Sequence, residues 1–357
     1  MLVFSHPDFD KHEFVHAFFD ASSGLKGFIA VHSTACGPAM GGCRLWPYSN
    51  DDQALKDVLR LSRSMSYKNA LAELPYGGGK AVIIGNQDPV KSAALFASFG
   101  GVVESLGGRY ITAEDVGTCV EDMRSVSRAT SYVSGIPRST GYQGGDPSPV
   151  TARGVFEGMQ AAVDVALGRS NLAGLTVAVQ GVGNVGYHLC KYLHEAGARL
   201  IVADINADNV SRAVREFGAT CRHVDEILSS KADVLAPCAL GGILNRKSIP
   251  QLRVKVVAGA ANNQLESCED GRLLQANGIV FAPDYVINSG GIISVAAEHQ
   301  RETSAEIVIA SVKKIRKRTH QILTIAQESN LPPNDVADNM ARNLIAGKRS
   351  AEQEVAA

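Results

Sequence analysis

The sequence has 357 residues, 35 of them glycine; 35 Lys and Arg face 36 Asp and Glu, and 45% of residues are hydrophobic. That composition excludes a disordered or fibrous chain, and the length suits two domains with a core each. A formal net charge of −1 argues against general binding to nucleic acid or a membrane surface, so neither partner is expected.

The first residues, Met1 to Asp8, carry no basic stretch, and no run of 18 apolar residues occurs. Neither a signal peptide nor a membrane span is expected. The seven cysteines are scattered with no C-x-x-C pair, which suits reduced thiols in a cytoplasmic protein. Residues 13–20 and 26–32 read as a hairpin joined at Ser22-Ser23-Gly24. His12-Glu13-Phe14-Val15-His16 spells H-E-x-x-H, a zinc motif that requires a helix to place both histidines on one face. Here the aromatic pattern suits a strand and no third ligand is evident, so no metal is expected. Residues 51–67 read as an amphipathic helix, 81–84 as a strand, 91–106 as a second helix and 110–112 as a strand, with a further helix from about Cys119.

Gly, Pro and Ser crowd residues 134–149, which reads as a linker or hinge. Beyond it apolar strands at 175–180, 199–203, 232–236, 254–258 and 279–282 alternate with helices at 151–167, 184–196 and 207–217. That alternation predicts a parallel, doubly wound sheet. A long helical region over about 289–328 and a last helix over 334–347 flank Pro332-Pro333. The basic run Lys313–Arg318 lies in the first of these and reads as a solvated face.

The strand Leu175–Gln180 runs into Gly181-Val182-Gly183-Asn184-Val185-Gly186, which opens a helix. In that setting G-x-G-x-x-G marks a dinucleotide site. Gly181 allows the tight turn, Gly183 lets the pyrophosphate approach the backbone, and Gly186 lets helix and strand pack closely. Asp204 ends the second strand, 18 residues after Gly186. A carboxylate there can bond both ribose hydroxyls and would repel a 2′-phosphate, which favours NAD. Cys238, Ala239, Ala260 and Asn262 follow later strands, leaving room for the nucleosides.

In the first half, Pro75–Ile84 carries Gly77-Gly78-Gly79-Lys80 ahead of an apolar strand. Leu74 and Ala81 rule out a P-loop, which needs Gly and Ser or Thr there. A lysine beside a second cation has a lowered pKa and can exchange protons near neutrality; Lys68 would be that cation. Asp115, after a short strand, is the third candidate, and each of the three taken singly is more often a surface charge.

Six blocks together make the chain resemble the glutamate/leucine/phenylalanine/valine dehydrogenase family, closest to its leucine or branched-chain type. They are Gly37–Arg44, Gly77–Lys80, Thr112–Thr118, Gly145–Thr151, Gly181–Gly186 and Asn288–Gly291. Gln87, where the family favours Pro or Leu, departs from the pattern beyond the chemistry. The resemblance implies a mixed α/β substrate domain over 1–140 and a Rossmann NAD domain over 141–331, separated by a cleft, with the 332–357 helix packing back on the first. It implies that Lys68 binds the substrate carboxylate with the Gly41 backbone and Asn262, that Lys80 activates water, and that Asp115 shuttles protons. Thr151 and the Gly181–Gly186 turn, with Val182, Asn184 and Val185, would hold NAD. The side-chain pocket would be Met40, Ala113, Ile292 and Val295. All four are apolar, so a second substrate carboxylate would be left unpaired. Expected is oxidation of an apolar L-amino acid, branched-chain favoured and aromatic the alternative, in a homo-oligomer. A silent NAD-binding regulator would lack Lys68, Lys80 or Asp115, and all three are present.

Overall fold

The computed structural model describes residues 3–85, 92–136 and 145–356. The chain divides into two compact units. The first is Met1–Asp146 with Ser294–Ser304 and Ala341–Ala357; the second is Pro147–Ile293 with Ala305–Met340. Residues 137–144 of the expected hinge lie outside the described residues.

The first unit contains β1 (Phe14–Asp20), β2 (Leu25–Ser33), β3 (Ala39–Trp46), α1 (Asp51–Leu71), β4 (Gly77–Ile84), α2 (Ala93–Ser105), β5 (Tyr110–Glu114) and α3 (Val120–Val126). The sheet order is β1-β2-β4-β3-β5. The hairpin pairs antiparallel from Phe14 opposite Val31 to Asp20 opposite Leu25, and β2 pairs antiparallel with β4. The period-2 alternation of the strands sorts two cores. Ala30 and Val82 pack with Leu55, Val58 and Leu59 of α1, while Ile29, Val31, Ala81 and Ile83 pack with Phe96, Phe99, Met123 and Val126 of α2 and α3. Asn50 caps α1 by accepting from the Gln53 amide at 2.9 Å. Strand β3 is not evident in the sequence pattern, because Gly41-Gly42 interrupts it. It forms because β4 and β5 pair with it in parallel on either side.

The second unit contains α4 (Ser148–Leu167), β6 (Thr176–Gln180), α5 (Asn184–Glu195), β7 (Arg199–Ala203), α6 (Ala207–Phe217), β8 (Thr220–Cys221), β9 (Val234–Pro237), β10 (Val256–Val257), α7 (Glu269–Ala276), β11 (Val280–Phe281) and α8 (Asp284–Ile287). Its sheet is parallel throughout, in the order β11-β10-β9-β6-β7-β8. That is the doubly wound dinucleotide-fold order, with the switch point between β6 and β9. The expected single helical region over 289–328 is two helices, α9 (Gly290–His299) and α10 (Ala305–Ser329). Arg301 takes a left-handed φ of 58°, and Glu302 draws in the amides of Thr303 and Ser304 at 2.9 Å, which ends one helix and starts the next. The last helix, α11 (Pro333–Ala356), outruns the expected 334–347. The divisions between the units fall after Asp146, within α9, before α10 and within α11, and Arg342 and Arg349 bond Tyr67 and Glu13 within the first unit. The stripe Val308, Val312, Ile315 and Ile322 of α10 is buried and Lys313, Lys314 and Lys317 are exposed, so the basic run is a solvated face. Among the described residues no helix is long and apolar enough to cross a membrane.

His12 lies just before β1 and His16 within it, neither on a helix, which removes the zinc geometry. His12 is instead buried, its Nε2 3.0 Å from Leu59 O and Ser62 Oγ; His32 is buried with Nδ1 2.8 Å from Ser66 Oγ, and the two rings meet edge to face at 5.0 Å. Burial, and then His12 beside it, push the His32 pKa down from 6.5 to about 4, against the opposing pull of Asp10. An unfolded His32 takes its proton near pH 6.5, the folded one only near 4. Its contribution to stability is therefore full above pH 6.5 and is lost as pH falls to about 4. At the extreme this is about 3 kcal/mol. Thermal melts at pH 7 and pH 4.5 are expected to separate by several degrees, and by less in a His32→Gln variant; equal separations would refute the assignment.

Candidate active site

In the first unit the sheet brings three charged side chains into contact. Lys80 lies within β4, 5% exposed, and its Nζ stands 3.0 Å from Asp115 Oδ1. Arg44 of β3 donates from Nε to Asp115 Oδ2 at 2.9 Å. Asp115 follows β5 directly. Its amide donates to Thr118 Oγ1 at 2.9 Å, and that hydroxyl also lies 2.9 Å from Cys43 O, which ties the 115–118 turn to β3. Gly42 permits the approach: a Cβ there would stand 2.8 Å from Asp115 Cβ and 2.6 Å from Glu114 O. Burial opposes the Asp115 charge, but Lys80 and Arg44 outweigh it and hold the carboxyl pKa below its ordinary value. The neighbouring Glu114 is shifted upward, by partial burial and then by the carboxylates of Asp146 and Glu298.

The other expected substrate residues of this unit sit in the same sheet or beside it. Met40 of β3 and Ala113 of β5 are buried. The Gly41 carbonyl accepts from the buried Tyr110 hydroxyl at 2.8 Å. Lys68 is half-buried in the last turn of α1, one residue before Asn69, whose side chain donates to Gly77 O at 2.6 Å and Met40 O at 3.3 Å. That pair of bonds fixes the helix end on β3 and β4. Val295 belongs to the Ser294–Ser304 segment of this unit, where Glu298 accepts the Ile136 amide at 2.9 Å.

The second unit gathers most of the remaining expected residues at the carboxyl ends of its strands. The Gly181–Gly186 turn follows β6, Asp204 follows β7, Cys238 and Ala239 follow β9, and Ala260 and Asn262 follow β10. Gly181 has a φ of +90°, which a side chain rarely adopts, and Gly183 caps the N-terminus of α5. A Cβ on Gly183 would meet nothing within 4 Å, so open space lies over the turn where helix amides point. Asp204 does more than its sequence position suggests: Oδ2 accepts the Val182 amide at 2.7 Å and Oδ1 the Asn206 amide at 2.8 Å, bracing the turn. The Asn262 side chain is held by Asn288, whose Nδ2 donates to Asn262 Oδ1 at 2.8 Å and Ala260 O at 3.1 Å. Thr151 lies in the first turn of α4 with its hydroxyl on Pro147 O, and Ile292 lies in α9 on this unit's side of the division. Of the candidate substrate residues, Asn262 and Ile292 belong to the second unit and the others to the first. Sequence reasoning missed the work of Arg44 and Asn288; the only signal was their place in the glycine blocks 37–44 and 288–291.

Similarity to known proteins extends over most of the chain. A family model for the Glu/Leu/Phe/Val dehydrogenase dimerisation domain matches residues 12–132, and one for Glutamate/Leucine/Phenylalanine/Valine dehydrogenase matches 145–207 and 202–353. The chain is 48% identical to leucine dehydrogenase of Geobacillus stearothermophilus, over 98% of this chain and 95% of that one. It is 45% identical to valine dehydrogenase of Streptomyces virginiae over 96% of each. The crystal structure of L-tryptophan dehydrogenase from Nostoc punctiforme matches with a TM-score of 0.83 at 43% identity, covering 95% of this chain and 97% of that one. With both units matched, and a lysine–carboxylate pair in one and a dinucleotide turn in the other, the chain belongs to the glutamate/leucine/phenylalanine/valine dehydrogenase family of amino acid dehydrogenases.

Proposed function

We propose that this enzyme oxidatively deaminates a branched-chain L-amino acid, leucine, valine or isoleucine, with NAD as oxidant, to the 2-oxo acid and ammonium. The observation that carries the reading is the buried contact of Lys80 Nζ with Asp115 Oδ1 at 3.0 Å. Lys68 would bind the substrate carboxylate, assisted by the Gly41 backbone and Asn262. Asp115 would take the proton from the substrate ammonium and so free the amine lone pair. NAD, when bound, would supply the acceptor for the hydride that the substrate α-carbon loses as it becomes the imine. Lys80 would then polarise a water for attack on the imine and stabilise the carbinolamine, after which Asp115 returns a proton to the departing nitrogen. The Gly181–Gly186 turn, Thr151, Asp204, Cys238, Ala239, Ala260 and Asn262 would hold the dinucleotide, and the Asp204 carboxylate supports NAD over NADP by repelling a 2′-phosphate.

The buried Met40 and Ala113 offer apolar walls, with Ile292 and Val295 completing the proposed pocket. The 43% identity to an L-tryptophan dehydrogenase supports a second reading, the same reaction on an aromatic amino acid. A homo-oligomer is proposed from the description of residues 12–132 as a dimerisation domain. The test is NADH formation at alkaline pH with L-leucine, L-valine, L-isoleucine, L-phenylalanine, L-tryptophan and L-glutamate, and with NADP in place of NAD. Highest kcat/KM is expected for a branched-chain substrate with NAD. Preference for an aromatic one would move the assignment to the second reading, and turnover with none of them would overturn both.

A further inference from the structure

Arg44 bridges two carboxylates that come from different elements. Nε meets Asp115 Oδ2 and one terminal nitrogen meets Asp57 Oδ2 of α1, both at 2.9 Å, and the Tyr48 hydroxyl donates to the same Asp57 oxygen at 2.5 Å. The Arg44 side chain is 17% exposed and that of Asp115 16%. We propose that Arg44 is the positioning residue of this site: braced on Asp57, it holds the Asp115 carboxylate in place against Lys80. The inference rests on the catalytic roles assigned above to Lys80 and Asp115.

Asp115 has one oxygen on Lys80 and the other on Arg44, so it cannot rotate without breaking one of the two contacts. A group that takes and returns a proton at a fixed nitrogen needs that constraint, because catalysis falls steeply with misplacement. Only a guanidinium can meet two carboxylates through separate nitrogens of one rigid plane; a lysine ammonium is a single point of charge. Asp57 and Tyr48 complete the set by fixing the far end of the fork. The next ionisable group on β3, Cys43, has its thiol pushed up by burial and stays neutral.

Charges beside Asp115 move the pKa at which its carboxyl takes and returns a proton. Removing the Arg44 cation raises it, whereas removing the Asp57 anion frees Arg44 to lower it. The experiment compares Arg44→Gln, Arg44→Lys and Asp57→Asn in the full-length enzyme by kcat, KM, NAD affinity and the pH dependence of kcat/KM. Arg44→Gln is expected to lower kcat by about 10–100-fold with NAD affinity within twofold, and to move the acid limb up by about one pH unit. Asp57→Asn is expected to move the limb the opposite way, and Arg44→Lys to restore the limb but not kcat. A folded Arg44→Gln with kcat within twofold overturns the proposal. So do equal losses in the Gln and Lys variants with an unmoved limb, which would mark a purely structural ion pair. If Arg44→Gln does not fold, an unmoved limb in Asp57→Asn is decisive against it. Wild-type turnover in Asp115→Asn would instead refute the active-site reading itself.

Discussion

Replacing Lys80 by alanine is expected to lower kcat by at least about 10³-fold while leaving NAD affinity within a factor of two to three. A positioned acid–base group contributes on the order of 10²–10⁴ in rate. Here the loss also strips Asp115 Oδ1 of its partner in a buried setting, so the second proton-transfer group is weakened as well. The fold is expected to survive, because Arg44 still pairs with the other Asp115 oxygen and the strand around residue 80 is packed by Val82 and Ile83. Affinity for NAD is expected to survive because the Gly181–Gly186 turn belongs to the second unit, which has its own core around Ala178, Leu235 and Val257. Lys80→Arg separates acid–base work from charge alone. It keeps the cation but cannot act as a base, so it is expected to be nearly as inactive. Steady-state kinetics and an NAD titration on the same preparations decide the matter. Turnover within tenfold of wild type in either variant would remove Lys80 from the reaction.

The second unit is the more legible half of the sequence. A parallel sheet covered on both faces needs continuous apolar strands between amphipathic helices, so periodicity alone places 199–203 and 207–217 where β7 and α6 are observed. The first unit yields less. Its hairpin is local and readable, but β3 carries two glycines and becomes a strand only through partners 38 and 71 residues further along the chain. The site follows the same division. Lys80 and Asp115 are visible because each adjoins a short apolar strand, and the resemblance supplies their roles. Arg44 is not, since its carboxylates lie 13 and 71 positions away and no spacing rule links them. Asp204 is found by its distance from the glycine turn, yet its bond to the Val182 amide depends on β6 and β7 being in register, which only the folded sheet supplies.

The dinucleotide turn supplies the other large expected effect, because two of its glycines are needed for different physical reasons. A Cβ on Gly186 would stand 2.0 Å from the Gly181 carbonyl oxygen and 2.9 Å from its carbon. Those are backbone atoms, so α5 would have to move away from the turn. Gly186→Ala is expected to cost about 1–3 kcal/mol of stability, as overpacking does, and to weaken NAD binding as a consequence. Gly183 has a φ of −68°, which alanine adopts freely, and its Cβ would meet no protein atom within 4 Å. Gly183→Ala is therefore expected to melt as the wild type does. Its methyl group would nonetheless fill the space proposed for the pyrophosphate and lengthen the bonds from the α5 amides to a charged ligand. Such bonds are worth about 1.5–3 kcal/mol each, so NAD affinity is expected to fall about 10–100-fold with the fold intact. Thermal melts and NAD titrations of the two variants read the difference directly. A Gly183→Ala enzyme that binds NAD as tightly as wild type would place the pyrophosphate elsewhere; one that melts like Gly186→Ala would show that both glycines serve packing alone.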